Sequence, residues 1–253
     1  MWVPDVYHGA PTSVAAFIGT APKIAAVMFA FRILLTGFGE VHQYWAPMFA
    51  VLAVASLVVG NLAAIMQTNI KRMLAYSTVS HMGFILLAFM AGSIGATAGL
   101  YYAITYALMA AAGFGILMVL SNDDIECEEI KDLAGLNQRH AWFAFLMLLV
   151  MFSMAGIPPL MGFYAKFGVI MVLLKFHHVW LSVFAVVMSL IGAFYYLRVV
   201  KVMYFDEPTH DQPVGSNYAA KFFLSVNAFL LVLWGVMPQT MIDWCARALE
   251  NTL

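Results

Sequence analysis

Seven apolar runs, near residues 12–36, 46–68, 73–92, 97–120, 141–174, 179–203 and 221–242, follow one another along the chain with little polar sequence between them. Each reaches or exceeds the roughly 20 residues a helix needs to cross a hydrocarbon core of about 30 Å. Lipid offers no water to exposed amide and carbonyl groups, so a chain of this kind satisfies them within helices. The expected fold is all-α, a polytopic transmembrane helix bundle of about seven spans forming a single domain over residues 1–253. Composition agrees, with 64% hydrophobic and 10% charged residues against about 45–50% and about 25% in soluble domains.

The same composition excludes several functions. A net charge of −1 without clustered Lys and Arg excludes nucleic acid as a partner. Cys127 and Cys245 are far apart and form no Cys-x-x-Cys pair, so neither a zinc site, an iron–sulfur cluster nor a disulfide framework is read from them. Gly37-Phe38-Gly39 and Gly113-Phe114-Gly115 lack the strand–turn–helix context of a dinucleotide site. No cofactor is expected on this chain. Met1-Trp2-Val3-Pro4-Asp5 lacks the basic region of a cleavable signal.

The fifth run is too long for one straight span: about 34 residues make a helix of roughly 50 Å. Gly156-Ile157-Pro158-Pro159 interrupts it, and proline removes a backbone donor and clashes with the preceding turn. The run is either one discontinuous span or a tight hairpin. Broken helices lie where backbone lines an aqueous cavity, which directs attention to this point. Counting Lys and Arg places the loops around Lys71-Arg72 and Lys131 to Arg139 on the cytoplasmic side and favours the single broken span weakly. The connections are short apart from an acidic loop, 122–132, and a polar loop, 206–213.

Two lysines sit deep within these runs. Lys23 follows Pro22 in an otherwise uncharged stretch, and Lys166 lies just beyond the break. An ammonium near the centre of a membrane helix costs roughly 2.5–3.5 kcal/mol on insertion scales, so it needs a polar partner, water or a function. Snorkelling serves residues near helix ends, whereas Lys23 lies about ten residues from either end. Desolvation brings the charged and neutral forms of lysine closer in free energy, and such a group works as a proton switch. All 13 acidic residues lie in loops or at span ends, so the interior carries bases without carboxylates. Pro22 frees a carbonyl one turn earlier, where Thr20 and water would hydrate Lys23.

The third run opens with an unusual polar load, Lys71-Arg72 followed by Tyr76, Ser77, Thr78, Ser80 and His81. Thr78 follows Lys71 by seven residues and His81 by three more, so the three share one side of a helix. Histidine titrates nearest physiological pH and suits a proton relay; it also serves as interhelical glue. The expected path is Lys23, Lys166, His81, Lys71 and Thr78, with helix breaks at Pro22 and at Gly156, Pro158 and Pro159. Arg32, His140, Lys175, His177, His178 and Arg198 fall near span ends, where interfacial anchoring is the expected role. The 18 methionines and the aromatic residues are read as packing and lipid contact.

Trp2–Thr12, Ala21-Pro22-Lys23-Ile24-Ala25, Gln67–Gly83 and Gly156–Phe167 together resemble the antiporter-like membrane subunits of respiratory complex I. The resemblance implies a fourteen-helix parent built from two inverted five-helix repeats, of which this chain looks like the last seven helices. Lys23 then matches the central connecting lysine of the eighth helix, and Lys166 the lysine of the discontinuous twelfth. Lys71 and His81 match polar positions near the path, and the glutamate and lysine paired in the first half would lie upstream of Met1. It further implies a multi-pass protein of the bacterial inner membrane, acting as one subunit of an NADH:quinone oxidoreductase. The other membrane and peripheral subunits of that complex would be its partners, and NADH, FMN, iron–sulfur clusters and quinone would be held by them. The related sodium/proton antiporter subunits share the pattern, and a non-pumping structural role is the third reading.

Overall fold

The computed structural model describes residues 2–121, 126–208 and 218–250, and among these the chain is helical between its loops. In order the helices are α1 (Trp2–Gly9), α2 (Thr12–Gly19), α3 (Ala21–Arg32), α4 (His42–Ile65), α5 (Ile70–Phe89) and α6 (Gly92–Leu120). They are followed by α7 (Leu136–Arg139), α8 (Ala141–Ala155), α9 (Met161–Lys175), α10 (Val179–Phe205), α11 (Tyr218–Val236) and α12 (Pro238–Glu250). Residues 122–125 of the acidic loop and 209–213 of the polar loop lie outside the described residues.

Five stretches are long and apolar enough to cross a membrane: Thr12–Gly37, Gly39–Ile65, Gly92–Leu120, Val179–Phe205 and Tyr218–Val236. The third and fifth apolar runs supply the rest of the bundle in different forms. The third is α5, which begins three residues earlier than its apolar run because Asn69 caps it, its side chain accepting from the Arg72 amide at 2.9 Å. That cap draws Lys71 and Arg72 into the first turn. The seventh run ends at Val236, and the residues beyond form the separate helix α12, which buries Met241, Cys245 and Leu249 at a four-residue spacing.

The fifth run is one discontinuous span. The Gly135 amide, just ahead of α8, donates to the Val202 carbonyl near the end of α10. The far end of α9 leads directly into the start of α10 at Val179. The two outer ends of α8 and α9 therefore lie roughly 35 Å apart along α10 at 1.5 Å per residue. A hairpin would bring those ends together. The first apolar run is broken as well: α2 stops at Gly19, Thr20 takes a non-helical conformation, and Pro22 sits in the first turn of α3, where its missing N–H costs nothing.

At the centre are α5 and α6, buried along most of their length. The α4–α5 pair approaches closely at Gly60, where a Cβ would meet the Ser80 amide nitrogen at 2.6 Å and the Tyr76 carbonyl oxygen at 2.9 Å. Small residues at such contacts let membrane helices pack backbone to backbone. On its other side α4 is tied to α10. Asn61 donates to the Met188 carbonyl and accepts from the Tyr195 hydroxyl, both at 3.1 Å. Arg198 is not a simple interfacial anchor: its guanidinium donates to the Ile65 and Gln67 carbonyls at 2.8 and 2.6 Å, capping the C-terminal end of α4, where the helix dipole favours a cation. Gly60→Val should force α4 from α5 at a cost of about 1–3 kcal/mol. In detergent the full-length protein should then unfold roughly 3–10 °C lower than the parent, which a thermal-shift measurement checks.

Candidate functional site

The expected lysines do not stand alone in the interior. Lys23, in the first turn of α3, donates to the Tyr7 hydroxyl at 2.8 Å and the Tyr106 hydroxyl at 3.4 Å. Its ammonium also lies 5.3 and 4.7 Å from the centroids of the same two rings. Aromatic faces attract a cation most when both are out of water. Thr20 does not join this group; its hydroxyl turns back to the Ala16 and Phe17 carbonyls, at 3.0 and 3.1 Å. Its work is to close the end of α2 beside the break at Pro22.

Tyr106, on α6, carries the arrangement to α5. Its hydroxyl pairs with that of Thr78, and Thr78 also donates to the Leu74 carbonyl at 2.9 Å. One turn further, the His81 ring lies 5.1 Å from the Tyr106 ring. Both nitrogens of His81 are engaged, Nδ1 with the Tyr102 hydroxyl at 2.8 Å and Nε2 with the Tyr196 hydroxyl at 3.0 Å. Thr78, His81, Tyr102, Tyr106 and Tyr196 are all fully or nearly fully buried. In this setting every hydroxyl and ring nitrogen needs a partner, and here each is supplied by another group able to pass a proton.

Lys166 closes the series from α9. Its ammonium donates to the Ala155 carbonyl and the Ser189 hydroxyl, each at 2.9 Å, and lies 5.6 Å from the centroid of the Phe84 ring. The Ala155 carbonyl is available because of the sequence. In a continuous helix Met154 and Ala155 would accept from the amides of residues 158 and 159, and both are proline. The end of α8 thus presents an unpaired carbonyl and the negative end of its dipole to the cation. Gly156, at φ +88°, turns the chain so that Lys166 reaches back; a Cβ there would stand 3.0 Å from Lys166 Cδ. Between His81, Tyr196, Ser189 and Lys166 lies a cavity of about 10 Å³, on the order of what one water needs.

Lys71 belongs to a different cluster. It is 1% exposed and pairs with Glu126 at 2.7 Å and Glu128 at 2.6 Å, two half-exposed carboxylates of the loop after α6. It also donates to the Ala10 carbonyl at 3.3 Å, and Thr12 donates to Glu126 at 3.1 Å. The Lys71 ammonium holds the Glu126 carboxyl below the usual carboxylate range. A link of that sign stays intact at pH values where a free glutamate begins to protonate and is lost only as pH falls through the lowered value. The structure thus unites Lys23, Thr78, His81 and Lys166, with the breaks at Pro22 and at Gly156, Pro158 and Pro159 beside the two lysines. Lys71 stands two turns from Thr78 toward the N-terminal end of α5.

The tyrosines are what sequence reasoning passed over. Tyr7, Tyr102, Tyr106 and Tyr196 read as packing, yet each hydroxyl bonds a basic or hydroxyl group of this interior. The signal was present in Tyr101-Tyr102 with Tyr106 and in Tyr195-Tyr196: buried tyrosine needs a hydrogen-bond partner, and these fall in mid-span, away from bulk water.

Comparison with known proteins fits this geometry. The family described as NADH:quinone oxidoreductase/Mrp antiporter, TM, matches residues 1–192. A Neisseria gonorrhoeae protein named NADH-quinone oxidoreductase subunit N is 81% identical over 254 residues, covering 100% of this chain and 53% of its own length. A protein of the same name from Nitrosomonas europaea is 52% identical over 254 residues, covering 100% and 53%. The chain spans about half the length of the curated relatives it matches. Among solved structures, respiratory complex I from Thermus thermophilus with bound aureothin contains a chain 30% identical with a TM-score of 0.80, over 96% of this chain and 53% of that one. The Mrp complex from a Dietzia species contains one with a TM-score of 0.88 at 21% identity, over 99% and 55%, a likeness of fold alone.

The geometry around Lys166 generates a direct check. Gly156→Ala places a side chain at a left-handed position, which costs about 1–2 kcal/mol, and crowds the Lys166 stem. Gly168→Ala is the control, since its Cβ would meet only Ala98 at 4.0 Å. Thermal unfolding of the full-length protein should drop for the first and stay unchanged for the second.

Proposed function

Because the chain belongs to the NADH:quinone oxidoreductase/Mrp antiporter transmembrane family, we propose that it supplies about half of a proton-translocating membrane subunit of NADH-quinone oxidoreductase. The observation that carries this reading is the buried run of proton-bearing groups between two lysines: Lys23, Tyr106, Thr78, His81, Tyr196 and Lys166. A proton leaving Lys23 reaches the Tyr106 hydroxyl, which accepts it on oxygen while giving up its own toward Thr78. His81 takes a proton on one ring nitrogen and releases another from the opposite one toward Tyr196. A water in the cavity carries it to Lys166, whose charged form the Ala155 carbonyl and Ser189 receive. Two gaps interrupt the hydrogen bonding, between Tyr106 and His81 and between Tyr196 and Lys166, and they are where transfer would be controlled.

In this reading the chain itself performs no redox step. NADH oxidation and quinone reduction, with the FMN and iron–sulfur clusters they need, belong to the other membrane and peripheral subunits of the complex, and the assembly lies in the bacterial inner membrane. The sodium/proton antiporter reading draws on the fold shared with the Mrp complex at 21% identity. The 81% identity to a protein named for NADH-quinone oxidoreductase favours the redox-coupled one.

The test is Lys166→Ala in the full-length subunit within its complex. NADH-driven proton pumping into inverted membrane vesicles should fall about tenfold or more, as when a proton-transfer group is removed. Assembly of the complex, read from NADH oxidation with an artificial electron acceptor, should persist. Pumping at the parental rate would remove Lys166 from the path.

A further inference from the structure

The interior run needs a source of protons, and the first turns of α2 and α5 meet the loop after α6 at Thr12, Lys71 and Glu126. That loop is not loosely laid. The Ile70 amide donates to the Glu128 carbonyl at 2.6 Å and the Ile130 amide to the Thr68 carbonyl at 2.8 Å. The Asp132 carboxylate holds the Glu128 and Glu129 amides at 3.3 and 2.8 Å. The backbone from Glu128 to Ile130 is thus held against the start of α5, and the side chains of Glu126 and Glu128 reach Lys71 from it.

Those two carboxylates are 40% and 38% exposed, while the ammonium they share is 1% exposed. They stand with one side to water and the other on a buried base. Glu126 also touches α2 through Thr12, so it meets both helices that lead inward: α2–α3 to Lys23 and α5 to Thr78 and His81. Lys71 bonds the Ala10 carbonyl, three residues after Tyr7, whose hydroxyl bonds Lys23. Asn69 Nδ2, on a side chain 6% exposed, and Arg72 Nε are buried without a hydrogen-bond partner, and a bound water is the usual partner for such atoms. A further charge, Asp5 of α1, pairs with Arg72 at 3.3 Å.

We propose that Glu126 and Glu128 are the proton-uptake groups of this chain, delivering protons from the cytoplasmic water to Lys71 and through it to the Lys23–Thr78 cluster. This rests on the proton-translocating reading above and adds a point of entry to it. The steps balance. Charged Lys71 gives its proton inward, across the roughly 10 Å to Thr78, by the swing of its four-carbon arm and the intervening water, and becomes neutral. Glu126 and Glu128 are then carboxylates without a counterion. One of them takes a proton from bulk water and passes it to Lys71, which restores the ion pair. While Lys71 is charged it holds Glu126 ionised, so uptake follows inward transfer instead of preceding it.

Inverted vesicles carrying the complete complex expose this loop to the medium, so the medium pH is the pH at Glu126. Compared with its own rate near pH 6, Glu126→Gln/Glu128→Gln should lose activity as pH rises, about tenfold at pH 8 where protons are scarce and beyond any change in the parent. Added imidazole, a small carrier that titrates near neutrality, should restore most of that loss. Lys71→Arg keeps the positive charge and both ion pairs but cannot release a proton, so it should pump as poorly as the double variant at pH 8. A merely structural brace would behave oppositely, with Lys71→Arg fully active and imidazole without effect; either result overturns the proposal. If the double variant does not assemble, Lys71→Arg decides alone. Loss of pumping in Lys166→Ala with parental pH profiles at the loop would defeat the uptake role and leave the translocating reading standing. Parental pumping in Lys166→Ala would strike that reading itself.

Discussion

A cation inside a helix bundle must be bonded by groups that the surrounding helices can spare, and helices spare few. Each interior carbonyl is already taken by an amide four residues on. At Lys166 the sequence removes that competition by placing prolines at 158 and 159, and the freed Ala155 carbonyl becomes the lysine's acceptor. A hydrogen bond to a charged group is worth about 1.5–3 kcal/mol net, comparable with the roughly 2.5–3.5 kcal/mol that insertion scales assign to a mid-membrane lysine. The broken helix and the buried lysine are thus one feature. Neither would be stable in this place without the other.

Lys23 is accommodated by different means. Its helix is also broken, yet Thr20 turns back to the Ala16 and Phe17 carbonyls of α2, and the ammonium rests on phenol oxygens and aromatic faces instead. The two lysines therefore sit in unlike environments joined by His81. Around them the bundle is braced at its ends: Asn61 and Arg198 lock α4 to α10, and the Lys71 ion pairs lock α5 to the loop after α6. In the proposed path the braced frame leaves side-chain rotation and water as the means of transfer across the two gaps.

Much of this was legible from the residues. The spans follow from apolar run length, the break from Gly156 to Pro159, and the lysines and His81 from their cost in lipid. Periodicity correctly set Thr78 and His81 on one face. It did not reveal the partners of Lys71, because helical spacing fixes which side of α5 a residue occupies and says nothing of a loop more than 50 residues away that brings two carboxylates to it. The single-span form of the fifth run likewise depended on the Gly135–Val202 contact, which no local pattern encodes. The tyrosines were missed for a third reason. Their rings belong to the apolar count that defines the spans, while their hydroxyls bond Lys23, Thr78 and His81.

The central claim is that the buried groups from Lys23 to Lys166 form one water-completed path. Electron cryomicroscopy of the full-length subunit in its complex, at a resolution that reveals ordered water, tests it most directly. The account predicts water density within hydrogen-bond distance of both Tyr196 and Lys166, and a second water or a rotated side chain closing the distance between Tyr106 and His81. A dry, side-chain-filled gap at either point, or a Lys166 ammonium turned out to lipid, would contradict it.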